Sequence, residues 1–267
     1  MLEGERKRGR TRAQSEVLSY ILVFAIIIAA LSVVSVFGVT ALEQVQEKTV
    51  ADNGEFAMQN LEADIGELYH GTSTSESTEL SLGSASLETG SPVTIEVSGS
   101  TPLRGSVSGS WTYRPIAYRS DAADIVYDNS MVVREQDRGA VAVSEPLFEL
   151  SDEQTVVPVV RTVASGPQSV SGGTYEIATT EVGTETLIQT SQSPPASTVV
   201  DVDLAIELNT RGQFVVWKRQ LNEELAGVSS PRTPPCQEDS SVDNRLVCEF
   251  DTDTLVVSVV HISFDFR

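Results

Sequence analysis

The sequence has few residues of the kinds that build catalytic and metal sites. Its 267 residues include two histidines and two cysteines. It contains no G-x-S-x-G, H-E-x-x-H or G-x-G-x-x-G signature and no phosphate-binding loop. His70 and His261 are too few for most acid–base sites, and no metal-ligand pattern surrounds them. We therefore expect a protein that is not an enzyme and that uses no metal and no cofactor.

Basic residues are also scarce, and most of the chain is acidic. Eighteen Lys and Arg stand against 38 Asp and Glu, which gives a formal net charge of −20. Such a chain repels nucleic acid, so we expect no nucleic-acid partner. Self-repulsion of this size is screened in concentrated salt, which favours a halophilic protein. The alternative is an ordinary acidic domain that stays folded when salt is removed.

The two cysteines and the paired aspartates are the remaining candidates for a site. Cys236 and Cys248 are close together in the acidic part of the chain, and Pro234 and Pro235 directly precede the first of them. This arrangement favours a disulfide and an oxidising exterior, although two unrelated buried thiols fit the same spacing. Asp201 with Asp203, and Asp251 with Asp253, each share one face of a predicted strand. These pairs could bind Ca²⁺, but we interpret them as solvated surface in so acidic a chain.

One segment is long and apolar. No charged residue occurs from Val17 to Leu42, which is longer than a helix needs to cross the roughly 30 Å hydrocarbon core of a bilayer. A basic cluster precedes it and Glu43 and Glu47 follow it, so the rule that positive flanks stay inside predicts a cytoplasmic N-terminus and an extracellular C-terminal domain. We expect a single-pass protein of the cell membrane.

Three fates are open to this helix. A conventional secretory signal would be cut after Ala41, following the small-x-small triplet that begins at Val39, but its apolar region would be much shorter. The second fate is an uncleaved signal anchor. The third depends on the residues before the helix, where the basic stretch Arg6 to Arg12 is followed by Ala13 and then by "QSEV" (14–17).

The arrangement of basic stretch, Ala13, "QSEV" and long apolar helix resembles the class III signal of haloarchaeal type IV pilin-like and archaellin-related proteins. The resemblance implies that a prepilin peptidase-like enzyme cuts between Ala13 and Gln14 and that the mature chain keeps its helix. It also implies an assembly role for Glu16, which could pair with the free amino terminus of a neighbouring subunit. Bacterial members carry that glutamate as the fifth mature residue, whereas Glu16 would be the third. The alternative is that Glu16 is a solvated residue at the membrane interface.

The pattern beyond the apolar segment predicts an α+β fold, in which a long N-terminal transmembrane-to-amphipathic helix packs on an antiparallel β-sandwich-like ectodomain. Apolar residues continue at helical spacing as far as Tyr69, weakened at Gly54 and Gly66. Later segments rich in Val, Ile, Thr and aromatic residues predict strands at 93–97, 124–128, 155–163, 174–180, 197–208, 213–219 and 253–266. The segment 220–244 is predicted to start as a short helix and to become an exposed loop. The predicted regions are a basic cytoplasmic leader (1–13), a transmembrane helix (14–42), an amphipathic helix (43–70), a Ser/Thr-rich linker (71–91) and an extracellular β-rich domain (92–267).

These observations favour a pilin-like cell-surface subunit that is anchored by its N-terminal helix and displays an acidic β domain. Its expected partners are the membrane, a prepilin peptidase-like enzyme, and further copies of itself or other pilin subunits in a type IV pilus-like filament. The alternative is a single-pass membrane protein with an extracellular binding domain that does not polymerise.

Overall fold

The computed structural model describes residues 8–101, 105–190 and 199–267. The chain divides into two compact units, residues 1–48 and 49–267. A single α-helix, α1 (Arg8–Tyr69), runs through 62 residues. The first proline of the chain is Pro92, so nothing in this segment removes a helical hydrogen bond.

Helix α1 ends at a glycine in the left-handed conformation. Gly71 has φ of +68°, and its N–H donates to the Leu68 carbonyl. The N–H of Thr72 donates to the Glu67 carbonyl at 3.0 Å. These two bonds form a Schellman motif, which satisfies carbonyls that the helix itself leaves unpaired.

The second unit also contains one further helix, α2 (Arg211–Glu224), and fifteen described strands. The strands are β1 (Ser75–Ser81), β2 (Ser86–Thr89), β3 (Val93–Thr101), β4 (Gly105–Tyr113), β5 (Ile116–Arg119), β6 (Asp124–Asp128), β7 (Met131–Gln136), β8 (Gly139–Ala142), β9 (Thr155–Ala164), β10 (Ser169–Ser171), β11 (Thr174–Thr190), β12 (Val200–Glu207), β13 (Cys236–Glu238), β14 (Arg245–Thr252) and β15 (Thr254–Phe266).

The described strands form three sheets. Sheet A has the order β1-β11-β15-β9, sheet B has the order β10-β2-β5-β6-β7-β8, and sheet C has the order β13-β14-β12-β3-β4. Neighbouring strands are antiparallel except β15 and β9, which are parallel. The chain therefore has an α+β fold with a β-rich domain, and the expectation of purely antiparallel strands was wrong for this pair. β9 and β15 are separated by some ninety residues, so no tight turn constrains their relative direction.

Two hydrophobic cores lie on opposite faces of sheet A. We call the cluster that includes α1 side chains the α1 core and the cluster that includes α2 side chains the α2 core. Val257 and Val259 of β15 belong to the α2 core, whereas Val260 and Ile262 belong to the α1 core. Because successive side chains of a strand point to opposite faces, the buried pair Val259 and Val260 marks where burial changes face.

The α1 core contains one stripe of helix α1. Its large helical members are Met58, Leu61, Ile65 and Leu68, spaced by three or four residues, and each is buried, as is the small side chain of Ala57. They cluster with side chains of sheets A and B. The α2 core contains Phe214, Val216, Trp217 and Leu221 of α2 together with side chains of all three sheets.

The prediction of an irregular linker at 71–91 was wrong, because strands β1 and β2 lie within this segment. β1 pairs with β11 along its whole length, and β2 pairs with β5 and β10. Leu80 and Leu87 are the buried large side chains of these two strands. A polar segment with so few apolar residues becomes a strand because distant strands satisfy its main-chain hydrogen bonds, which local composition does not reveal.

The predicted strand at 213–219 was also wrong, because this segment belongs to helix α2. Thr210 caps the helix, since its side chain accepts a hydrogen bond from the N–H of Gln213 at 3.0 Å. Phe214, Trp217 and Leu221 then form one buried helical face. Burial at helical spacing outweighs the β propensity of the Phe-Val-Val-Trp sequence. The helix ends at Glu224, so the predicted helix start at residue 220 was also misplaced.

The other six predicted strands coincide with strands of the structure, three of which extend further. The strand predicted at 174–180 is the beginning of β11, which continues to Thr190. The strand predicted at 93–97 continues as β3 to Thr101. Residues 197 and 198 of another predicted strand lie outside the described residues, and β12 begins at Val200.

Candidate functional site

The predicted processing site lies near the start of helix α1. The backbone of Ala13, Gln14 and Glu16 is helical, because α1 begins at Arg8. Residues 1–7, which include Arg6 and Lys7 of the predicted leader, lie outside the described residues.

The window Leu18–Ser35 of α1 is strongly apolar and contains no charged residue. Its mean hydropathy is 2.6 and none of it is buried. By length and composition this helix is able to cross a membrane, either as an anchor or as a signal sequence. Large side chains such as Tyr20 and Leu31 are exposed, at 80% and 62%. An apolar surface of this extent needs lipid or another apolar surface to cover it.

The later part of α1 is held to sheet B by an ion pair as well as by apolar contacts. The guanidinium of Arg134 on β7 donates to Asp52 at 3.1 Å and to Glu55 at 2.6 Å. The side chain of Arg134 is only 16% exposed, and its pKa is raised, chiefly by the hydrogen bond to Glu55. This pairing stabilises one rotational position of the helix, because Asp52 and Glu55 share the side that faces β7.

A close approach between helix and sheet occurs at Gly54. A Cβ atom at Gly54 would lie 2.3 Å from Cε1 of Tyr118, and the hydroxyl of Tyr118 donates to the carbonyl of Val50 at 3.1 Å. Gly54 is therefore required for the packing of α1 against β5. Gly66 differs, because a Cβ atom there would meet nothing within 4 Å.

Cys236 and Cys248 form a disulfide in the structure. They lie opposite each other on β13 and β14, with 4.0 Å between their Cα atoms, and both are completely buried. The side chain of Asn222 on α2 accepts a hydrogen bond from the N–H of Cys236 and donates to its carbonyl. The short strand β13 is thereby attached to both β14 and α2.

The α2 core borders a buried carboxylate that the sequence analysis did not identify. Asp128 ends β6, is completely buried, and accepts hydrogen bonds from the Tyr113 hydroxyl at 2.6 Å and from Trp217 Nε1 at 2.9 Å. Burial raises the pKa of Asp128 to about 6, although both hydrogen bonds oppose the rise. The carboxylate thus joins β4, β6 and α2. Its chemistry is structural, since both partners are core side chains.

The turn after Asp128 is equally buried. Asn129 has a φ of 43°, its side chain donates to the carbonyl of Pro158, and it accepts from the N–H of Val160 at 2.6 Å. These bonds attach the turn to β9. The residues Asp128-Asn129-Ser130 are typical of an exposed turn, so no sequence signal distinguishes this buried one.

The other sequence candidates do not come together as a site. Asp201 and Asp251 face each other across β12 and β14. Within the described ranges, no group of three or more His, Cys, Asp or Glu side chains is placed to hold a metal ion. His70 stacks edge-on against Tyr69 at the end of α1, and His261 lies beside Arg161, with 3.5 Å between Nδ1 and the guanidinium.

Comparison with known proteins identifies the family of the chain. Neither the curated proteins nor the solved structures gave a significant match. The model of a family of unknown function, DUF7289, matches residues 12–265, which include nearly all of α1 and nearly all of the β-rich domain. The chain therefore belongs to the DUF7289 family.

Proposed function

We propose that this chain is a pilin-like cell-surface subunit whose leader is removed at the bond between Ala13 and Gln14. The apolar part of α1 remains as a membrane anchor and an assembly helix, and the acidic β domain is displayed outside the cell. The observation that carries the proposal is the construction of α1. One helix is apolar and unburied over Leu18–Ser35 and contributes Met58 to Leu68 to the core of the β-rich unit.

The exposed window favours a retained helix. Leu18–Ser35 has no cover from the described chain, so a mature protein that keeps it must place it in lipid or against other apolar helices. Cleavage after Ala41 would discard the window, whereas cleavage after Ala13 keeps it. The resemblance of the residues around Ala13 to class III signals supports the second cut.

Charge supports the orientation. The basic cluster precedes the apolar window, and the remainder of the chain accounts for the strongly negative net charge. Basic flanks stay on the cytoplasmic side, so the β domain lies outside. A disulfide such as Cys236–Cys248 is typical of an oxidising exterior.

The test is the N-terminus of the mature protein. We expect mass spectrometry of the chain, expressed with a prepilin peptidase, to find Gln14 as the first residue. Ala13→Trp should keep its leader, whereas the control Ala41→Trp should be processed normally. An intact leader on the unaltered chain would favour the non-polymerising, single-pass alternative. A chain beginning at Leu42 would contradict both, because the β domain would be released.

Assembly is tested separately at Glu16. Glu16→Gln removes the charge that would pair with the amino terminus of a neighbour but keeps the size of the side chain. We expect the leader of this variant to be removed normally. The variant should, however, be absent from the filaments that sediment on centrifugation. Filaments that form equally well with Gln at this position would eliminate Glu16 as the assembly residue.

A further inference from the structure

The edges of the three sheets are protected to different degrees. An exposed edge strand presents unpaired main-chain groups, which proteins usually protect with charges, proline or short length. The edges β8, β10 and β13 are only three or four residues long. β1 carries Glu76 and Glu79, and β9 contains Pro158. Five of the six described edges therefore have one of these protections.

Strand β4, the remaining edge, has none of them. It is nine residues long, Gly105–Tyr113, and contains neither a charged residue nor a proline. The sequence from Val97 to Tyr113 contains no acidic residue, in a chain with 38 of them. No described strand lies beyond β4 in sheet C.

The main-chain groups on the free side of β4 can be assigned. The Thr112 carbonyl accepts from the Arg161 side chain, and the N–H of Arg114 donates to the Thr162 carbonyl on β9, so even-numbered residues here point away from β3. By the two-residue period of a strand, the main-chain groups of Ser106, Ser108 and Ser110 also point away from β3. All three serines are exposed. The open part of the edge is therefore Gly105 to Ser110.

We propose that this edge pairs with the same edge of a second copy of the chain, antiparallel and about a two-fold axis. Ser108 then faces its own counterpart and Ser106 faces Ser110, so outward N–H and C=O groups meet in register. Sheet C becomes continuous across the two copies. The inference goes beyond the proposed function, because this contact involves neither the leader nor the apolar helix.

Charge is what points to a second copy. Two chains of net charge −20 repel wherever acidic surfaces meet, and a contact through β1 would bring Glu76 and Glu79 close to their counterparts. A contact through β4 brings together only glycine, serine and valine over its open part. Pairing over so few residues is weak, so it operates where copies are concentrated, as in one membrane.

The test is cross-linking of the full chain in lipid vesicles at molar NaCl, which screens the net charge. The native cysteines are bonded and buried, so Ser108→Cys adds the single accessible thiol. A short thiol-to-thiol reagent should give severalfold more covalent dimer with Ser108→Cys than with Ser77→Cys, the matched control on the exposed edge β1. Equal yields at both positions would overturn the proposal, as would cross-links from Ser108→Cys to a different protein in cells.

A second variant separates edge pairing from association through α1. Ser110→Pro removes an outward N–H that β3 does not use, and proline is tolerated at that kind of position. Added to Ser108→Cys, it should lower the dimer yield to the level of the Ser77→Cys control, with unchanged circular dichroism and unchanged leader processing. An undiminished yield would show that other surfaces hold the copies together and would contradict the β4 contact without affecting the proposed function.

Discussion

The α1 core and the α2 core use different chemistry to stabilise one domain. The helical stripe Met58, Leu61, Ile65 and Leu68 contributes large apolar side chains to the α1 core. The α2 core instead includes a disulfide and borders a carboxylate held by Tyr113 and Trp217. Among the described residues, Asp128 is the one acidic side chain that is buried. Reduction of the disulfide and titration of this fully buried carboxylate should therefore both act on the α2 core.

The two cores are not independent, because β9 and β15 contribute side chains to both. Val159 and Val160 are neighbours on β9, yet they belong to the α2 core and the α1 core respectively. A strand that loses its packing on one face weakens the hydrogen-bonded pairs that hold the other face. We therefore expect the β-rich unit to unfold in one transition, whichever core is damaged.

Damage to the α1 core should have the largest effect. Leu61→Ala removes a completely buried side chain, and the cavity and lost burial should lower the free energy of unfolding by about 2 to 5 kcal/mol. Denaturant titration in detergent and molar salt, followed by tryptophan fluorescence, measures the loss. It should be the same at pH 4 and pH 7, since no titrating group is removed.

The control for Leu61→Ala lies in the same helix. Leu22 is 62% exposed, so Leu22→Ala should change the free energy of unfolding of the β-rich unit by no more than about 0.5 kcal/mol. A comparable loss of unfolding free energy from both substitutions would mean that Leu61 and Leu22 do not differ in burial, which would contradict the structure.

The α2 core should respond to pH through Asp128. Its pKa is about 6 in the folded chain and near 3.8 when unfolded, so the folded state binds the proton more tightly between these values. Stability from this group is fully present below about pH 4 and declines as pH rises through 6, by about 3 kcal/mol in total. Glu135 adds to the rise in pKa, whereas Tyr113 and Trp217 oppose it.

The difference in the free energy of unfolding between wild type and Asp128→Asn isolates the contribution of Asp128, because the other carboxylates titrate in both proteins. The stability of the variant relative to wild type should increase from pH 4 to pH 7, as measured by denaturant titration at fixed salt. A difference that stays constant with pH would mean that Asp128 does not titrate in this range. Asn keeps an acceptor oxygen for one of the two donors, so the variant should fold.

The smallest effects should come from Gly54 and Gly66, two glycines in the later part of α1. Gly54→Ala forces the ring of Tyr118 to move and should cost about 1 to 3 kcal/mol. Gly66→Ala meets no atom within 4 Å and should stabilise the helix by about 0.5 to 1 kcal/mol. Thermal unfolding of both variants compares them directly, and a shift of the same sign in both would contradict the close approach at Gly54.

The sequence predicted those parts of the fold that depend on local pattern. The apolar run of α1 and the alternating strands β3, β12 and β15 are long and regular, so their type could be predicted. The local pattern could not identify β1, because that strand is polar and forms only through its pairing with β11. The same limit applies to Asp128, whose residue type and turn context are those of a surface residue.

By itself, the sequence determined the apolar helix, the acidic balance and the positions of the cysteines, because each depends on residues close together in the chain or on composition. Tertiary structure decided which face of α1 is buried, that Thr210 begins a helix, and that β4 is left as an edge without charge. These outcomes depend on contacts between residues far apart in the chain. The free energies of these contacts are comparable with those of local secondary-structure propensities, so the contacts are able to override the propensities.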